Sequence, residues 1–311
     1  MRAMRRRVAR GARLAARRKP VFDLLLQFLA NGLVNGTFYA LSALGLTLVF
    51  GLMRLVNFAH GEFYMMGGLL GWGLTTVLNL NFFAGLALVI LAMGAIGWIV
   101  DRLLIERVRG QGEEPGILLT IGLSIFLTNT ALLVVGTAPQ KVVAPVPGTP
   151  VFLGPVVLTQ VRVFAVAACA VVIVAAHVLI RHTRLGKAMR ATFQDPMAAR
   201  LAGIPTARIY AATFAMGTAL AGTAGMLLGS IYVAQATIGG LVSLKAFVVV
   251  ILGGMGSFAG AIVGGLILGV AEALWGGYLS TGSVDLVGFA LVILILFFRP
   301  YGLFPTRAER A

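Results

Sequence analysis

The sequence predicts an all-α polytopic membrane protein of about 8 (8–10) transmembrane helices. Two broken or re-entrant segments are expected, near 51–61 and 253–257. Three observations lead there. The 311 residues are 59% hydrophobic and only 11% charged, against about 25% charged in a soluble domain, and the mean hydropathy is +0.97. Several apolar runs reach the roughly 20 residues that a helix needs to cross a bilayer. No alternating ten-residue segments of the β-barrel kind occur. No stretch outside the apolar runs is long enough for a separate soluble domain.

Residues 1–20 form a basic extension that carries nine of the 25 Lys and Arg residues and no acid. Basic flanks of this kind mark cytoplasmic segments under the positive-inside rule. The apolar runs then follow as Leu24–Phe50, Phe58–Leu78, Phe82–Val100, Gly116–Gly136, Val161–Ile180, Ile209–Val233, Ala246–Leu279 and Val284–Phe298. The charged stretch 101–115 reads as a cytoplasmic loop, and the Pro- and Val-rich stretch 137–160 as an extracytoplasmic one. Residues 21–305 form one transmembrane domain, and the tail 306–311 is cytoplasmic.

Parity constrains this layout. If the N-terminus and 101–115 share a side, an even number of crossings separates them, yet three apolar runs intervene. One of them therefore cannot be a simple span. The same conflict recurs between 181–208 and a cytoplasmic C-terminus, where Ala246–Leu279 is too long for one straight helix and is interrupted by Gly253-Gly254-Met255-Gly256-Ser257. Paired interruptions of this kind point to a path lined by broken helices.

The loop 181–208 is more ordered than a solvated basic loop needs to be. Asp195 followed by Pro196 is a strong helix start, and Gly203 with Pro205 beyond it is a stop. A helix of about two turns over Pro196–Ala202 results, with Arg200 its one charge, and a second short helix covers Gly186–Phe193. Phe193, Met197 and Leu201 offer apolar contacts outside the bilayer, as a docking element for a cytoplasmic partner would. Glycine spacing is also ordered. Gly256, Gly260 and Gly264 recur every four residues, as do Gly217, Ala221, Gly225 and Gly229, so small residues line one helix face for close packing.

Three segments carry a family resemblance. The stretch from Gly45 to Gly67, with Asn57-Phe58-Ala59-His60-Gly61-Glu62-Phe63 at its centre, closely resembles the signature of bacterial branched-chain amino acid ABC transporter permeases, in particular the smaller LivH-type subunit. Residues Gly186–Ile204 are similar to that family's ATPase-contacting segment, and Ile251–Gly264 to its C-terminal glycine-rich signature. The resemblance covers residues 22–305; the Arg-rich extension lies outside it. It implies one permease subunit of an ATP-driven importer in the bacterial inner membrane, with both termini cytoplasmic. The implied partners are a second permease subunit, two cytoplasmic ATPase subunits and a periplasmic solute-binding protein. The implied solutes are leucine, isoleucine and valine, moved by alternating access. Gly186, Asp195, Pro196, Arg200 and Gly203 would then serve ATPase coupling. No G-x-x-x-x-G-K-[ST] phosphate loop occurs, so ATP hydrolysis is expected on other subunits and no cofactor on this one.

The polar residues within the apolar sequence are costly at membrane depth. Asn57, His60, Gly61 and Glu62 either line the solute path or stabilise a helix break, whose freed backbone groups need partners. Arg54 sits at an interface or pairs with Glu62. Glu272 reads as intramembrane, and Lys245 and Asp285 as helix ends. His60, His177 and His182 are far apart, and neither a metal site nor a catalytic set is expected. The location of the charges argues against nucleic acid as a partner. Two other functions stay open: a permease for urea, short amides or other amino acids, and an ion-coupled carrier using Glu62, His60 or Glu272.

Overall fold

A computed structural model describes residues 2–53, 55–112 and 114–304, with side chains from residue 21 onward. Arg54, the side chains of the basic extension and the tail 306–311 lie outside the described residues. The chain is helical almost throughout: α1 (Arg2–Met53), α2 (His60–Trp72), α3 (Phe82–Val100), α4 (Glu106–Val108), α5 (Glu114–Val135), α6 (Gln160–His182), α7 (Arg184–Gln194), α8 (Pro196–Leu201), α9 (Thr206–Ile231), α10 (Gly239–Gly253), α11 (Phe258–Tyr278) and α12 (Asp285–Phe298). One antiparallel hairpin interrupts them, β1 (Pro150–Leu153) with β2 (Val156–Thr159), in the register Pro150↔Thr159 to Leu153↔Val156. Among the described residues, six helices are long and apolar enough to cross a membrane, and α10 and α12 are shorter apolar helices.

The helix α9 is apolar or small on every side, so burial on all faces is its stable placement. It runs through the centre, with α1, α2 and α3 packed around it. The Thr218 hydroxyl donates to the Met93 carbonyl at 2.9 Å, pinning α3 to α9. The stretch 101–115 is less of a loop than its charges suggest. The helix continues through a π-turn at Asp101–Ile105 into α4, because buried Asp101 is ion-paired with Arg109 at 2.5 Å and the Arg109 guanidinium stacks 4.3 Å above the Tyr210 ring of α9.

Contacts at the helix ends define two faces. On one, Gln27 of α1 exchanges two hydrogen bonds with the Val157 backbone of the hairpin (3.0 and 2.8 Å), and Arg162 at the start of α6 donates to Asn31 at 2.9 Å. On the other, the end of α1 at Gly51 lies against Gly256 and Phe193, and the amides of Leu303 and Phe304 donate to the carbonyls of Leu252 and Gly253. The start of the α1 span is therefore on the hairpin face, and the C-terminal end of the described chain is on the opposite face, with α7 and α8. The expectation of two cytoplasmic termini falls on Met1 and residues 306–311, which lie outside the described residues. The parity conflict is resolved by passages that are not single helices: the chain returns from α1 to α3 through the residues before α2 and α2 itself, and from α9 to α11 through 232–238 and α10.

The second expected break is present. Residues 254–257 form a tight turn at the α7 face, closed by Gly254 (φ +102°) and Gly256 (φ +77°). A further non-helical stretch, 232–238, lies inside the bundle and descends beside α2 from Tyr232 to Gly239. In the first half, helix extends through Gly51 to Met53 and resumes at His60, so the break is confined to the residues between them.

Close approach is secured by glycine. In α1, Gly32 and Gly36 face Gly265 and Gly269 of α11; a Cβ at Gly36 would lie 2.8 Å from the Gly265 carbonyl oxygen. Gly217 meets Gly45, Gly225 meets Gly68 and the Tyr64 backbone, Gly229 meets Val142, and Gly260 and Gly264 meet Gly253 across the α10–α11 turn. Single cysteines test the assignment of faces, since the native Cys169 is buried. Cysteines at Phe22 and Leu153 should react with an impermeant maleimide from one side of sealed vesicles, and one at Leu201 from the other. Labelling of all three from the same side would refute it.

Candidate functional site

Two half-length helices begin at mid-depth, side by side. His60, at the start of α2, bonds through Nε2 to the Ser42 carbonyl of α1 (2.9 Å), level with the Gly45–Gly217 contact at the middle of the bundle. Gly239, at the start of α10, lies against Gly61 and Glu62. From this meeting point α2 runs to the hairpin face and α10 to the opposite one, so the positive dipole ends of two helices converge.

The intervening residues are those that stand out in the sequence. Asn57, His60 and Glu62 are 1%, 0% and 2% exposed. The Asn57 carboxamide oxygen accepts from the Ala59 amide at 3.1 Å, closing the turn into α2. Glu62 stands in the first turn of α2; its Oε1 accepts from Ser124 of α5 at 3.0 Å. Its other oxygen lies beside the Gly239 backbone with no hydrogen-bond partner among the described residues. Asn57 Nδ2 and His60 Nδ1 are likewise unpartnered there. The Glu62 carboxyl group thus sits where two positive helix ends meet.

Gly61 and Ser243 complete the junction. The Ser243 hydroxyl accepts from the Gly61 amide (2.8 Å) and donates to the Phe58 carbonyl (3.1 Å), satisfying two backbone groups freed by the break. A Cβ at Gly61 would run into the Gly239 carbonyl and lie 2.6 Å from Ser243 Oγ. Ser243, Gly239 and Ser124 are invisible as site residues in the sequence. Their one signal is a small or hydroxyl residue within an apolar helix.

The loop residues lie on the α7 face. Thr183 caps α7 by accepting from the Gly186 amide at 3.1 Å, and a Cβ on Gly186 would enter the Ile180 backbone. Asp195 accepts from the amides of Met197 and Ala198 (2.8 and 3.0 Å), with Pro196 in the first turn of α8. Gly203 ends the element at φ +81°, and Arg200 Nε donates to Thr206 at 2.9 Å. Met197 and Leu201 are exposed, whereas Phe193 is partly buried. The Phe193 ring lies close to both Gly51 and Gly256, where α1 ends and α10 turns into α11.

A second polar cluster spans α1, α10, α11 and α12. Lys245 contacts both Glu272 oxygens at 3.0 Å and Asp285 at 3.2 Å, and the Tyr39 hydroxyl donates to Glu272 at 2.7 Å. Glu272 is buried within α11. Asp285 opens α12, but Lys245 lies in the interior of α10, which corrects its reading as a helix end. The reason is its partner: 27 residues away in sequence, Glu272 gives the ammonium a counter-charge inside the bundle.

The sequence profile of the family described as "Branched-chain amino acid transport system / permease component" matches residues 28–298. The permease protein LivH of the Escherichia coli high-affinity branched-chain amino acid transport system is 38% identical over 91% of this chain and 96% of its own length. BraD, the corresponding permease protein of Pseudomonas aeruginosa, is 37% identical over 89% and 95%. LivM, a second permease protein of the Salmonella typhimurium system, is 26% identical over 86% of this chain and 68% of its own length.

Two stability predictions follow from the contacts. Gly61→Ala, which forces α2 from α10, should destabilise the protein by about 1–3 kcal/mol, as overpacking does, while Gly122→Ala, with open space around it, should be neutral. Thermal unfolding in detergent distinguishes them, and equal behaviour would contradict the junction. Lys245→Met should cost about 3–5 kcal/mol by stranding Glu272, and the double variant with Glu272→Met should recover most of that loss.

Proposed function

The chain belongs to the family of branched-chain amino acid transport system permease components, and from that premise we propose that it is one permease subunit of an ATP-driven importer for leucine, isoleucine and valine. It pairs with a second, LivM-like permease subunit, two ATPase subunits on the α7–α8 face and a solute-binding protein on the hairpin face. The α7–α8 face is cytoplasmic and the membrane is the bacterial inner membrane. ATP is hydrolysed on the partner subunits.

The observation that carries the mechanism is the meeting of α2 and α10 at mid-depth. Half-helices that begin inside the membrane are the usual lining of a transport path. Here their junction is closed by Gly61 on Gly239 and by one serine, contacts that a small displacement of α10 separates. Opening frees Glu62, Asn57 and His60, which already carry unpartnered polar atoms, to meet the charged groups of a zwitterionic solute. The apolar surroundings suit its side chain. The stroke arrives through α8 and α7: Phe193 touches the end of α1 and the α10–α11 turn, so movement of the loop is applied to both half-helix connections.

Affinity purification of the tagged chain in mild detergent should recover two ATPase subunits and a second permease, and reconstituted complex should take up labelled leucine, isoleucine and valine but not urea. Replacing Pro196–Leu201 with a flexible Gly-Ser segment should abolish uptake while leaving membrane insertion intact. Uptake at the native rate after that replacement, or proton-driven transport by the isolated chain, would refute the proposal.

A further inference from the structure

Helix α5 is the least packed of the six long apolar helices. Of its most apolar stretch only 6% is buried, against 72% in α9 and 67% in α1. The residues it does bury, Gly116, Thr120 and Leu123, lie in its first half. Towards the hairpin face α5 parts from α2 and leaves a groove of about 450 Å³, walled by Leu70, Leu74, Leu127 and Val134. The hairpin-side half of α5 is thus held by little of its own chain.

An unpacked apolar helix is suited to lipid, but the outward face of α5 is not wholly apolar. Leu118, Gly122, Ile125, Asn129 and Leu133 share the face turned away from Gly116, Thr120 and Leu123, and all five are exposed. Asn129 stands six residues before the end of α5 at Val135, about 9 Å inside it and so within the hydrocarbon layer. Its Nδ2 donates back to the Ile125 carbonyl at 2.7 Å, its one hydrogen bond among the described residues. A carboxamide has a second N–H and an acceptor oxygen to satisfy. The outward faces of α3, α6 and α12 make no such demand, with Leu88 and Leu91, Val171 and Val174, and Phe289 and Ile293 upon them. Two turns from Asn129, a Cβ on Gly122 would meet nothing within 4 Å, so the same face carries a notch where a neighbouring backbone can approach closely.

We infer that this face of α5 binds a transmembrane helix of the second permease subunit, which crosses at Gly122 and hydrogen-bonds Asn129. The inference rests on the functional reading above for the existence of that subunit. Acyl chains offer a carboxamide nothing, whereas helices in lipid associate through small residues and interhelical hydrogen bonds. The other side of α5 reaches the site. The Thr120 hydroxyl donates to the Val56 carbonyl within the break at 3.3 Å, and Ser124 donates to Glu62. The partner is therefore seated one helix away from Glu62, on the helix that holds the Glu62 carboxyl group.

The test is affinity purification of the tagged chain, expressed with its whole importer, with a benzophenone amino acid at Phe126 or at Phe297. Phe126 lies on the outward side of α5 and Phe297 on that of α12. Illumination should join position 126, and not position 297, to the second permease subunit. Asn129→Leu should lower recovery of that subunit about threefold to tenfold, as for one lost interhelical hydrogen bond, and Asn129→Gln should restore it. Gly122→Leu should abolish recovery while the thermal unfolding of the isolated chain stays unchanged, because the added side chain enters open space. Undiminished recovery with both Asn129→Leu and Gly122→Leu overturns the inference, as do adducts at position 126 with lipid alone or with another copy of this chain. If the native chain brings down no second permease, the functional reading itself fails, and the inference falls with it for want of its partner.

Discussion

A peptide group in the centre of a bilayer has no water to bond to, and that constraint shapes this chain more than any other. Where the helices are continuous, each group is satisfied within its own helix. The two intramembrane interruptions are where it must be met otherwise. Before α2, the carboxamide of Asn57 and the hydroxyl of Ser243 take on the freed groups. In the descent to α10, Ala234 exchanges backbone bonds with Gln140 (2.7 and 2.8 Å). Each interruption leans on a segment distant in sequence, so neither forms without the rest of the bundle.

Glycine makes those distant supports reachable. Helices in lipid gain little from the hydrophobic effect between them and associate through packing and polar contacts. Gly36 on Gly265, Gly45 on Gly217 and Gly61 on Gly239 bring backbones together where a methyl group would hold them apart. The outer helices are built differently. Leu133 and Val134 of α5 and Phe297 of α12 present large apolar side chains outward, a surface suited to lipid or to another membrane subunit. The tightly packed interior and the apolar exterior thus use different residues for different solvents.

Much of this could be read from the chain. The helical class, the order of the apolar runs and the capped α8 follow from composition, length and the Asp195–Pro196 pair. The cluster at 57–62 stands out because its polarity is costly where it lies. What stayed hidden depends on pairings remote in sequence. Lys245 reads as a helix end until Glu272 is seen beside it. The stretch 232–238 falls between the apolar runs that end at Val233 and begin at Ala246, and only its neighbours Gln140 and Glu62 show it to be a descent into the bundle. The face on which the α1 span begins also depends on a remote pairing. The hydrogen bonds between Gln27 and Val157 place it with the hairpin.

Those bonds have a mechanical consequence. The carboxamide of Gln27 both gives and receives at Val157, as a neighbouring strand would, and so fastens the hairpin to α1. From Val21 to Met53 the same helix runs unbroken for 33 residues, about 50 Å at 1.5 Å per residue. Its far end is the glycine that touches Phe193 and the α10–α11 turn. A load on the hairpin is carried to the opposite side of the membrane along one rod, without a relay of rearranging side chains. The two surfaces are linked by covalent continuity as well as by packing.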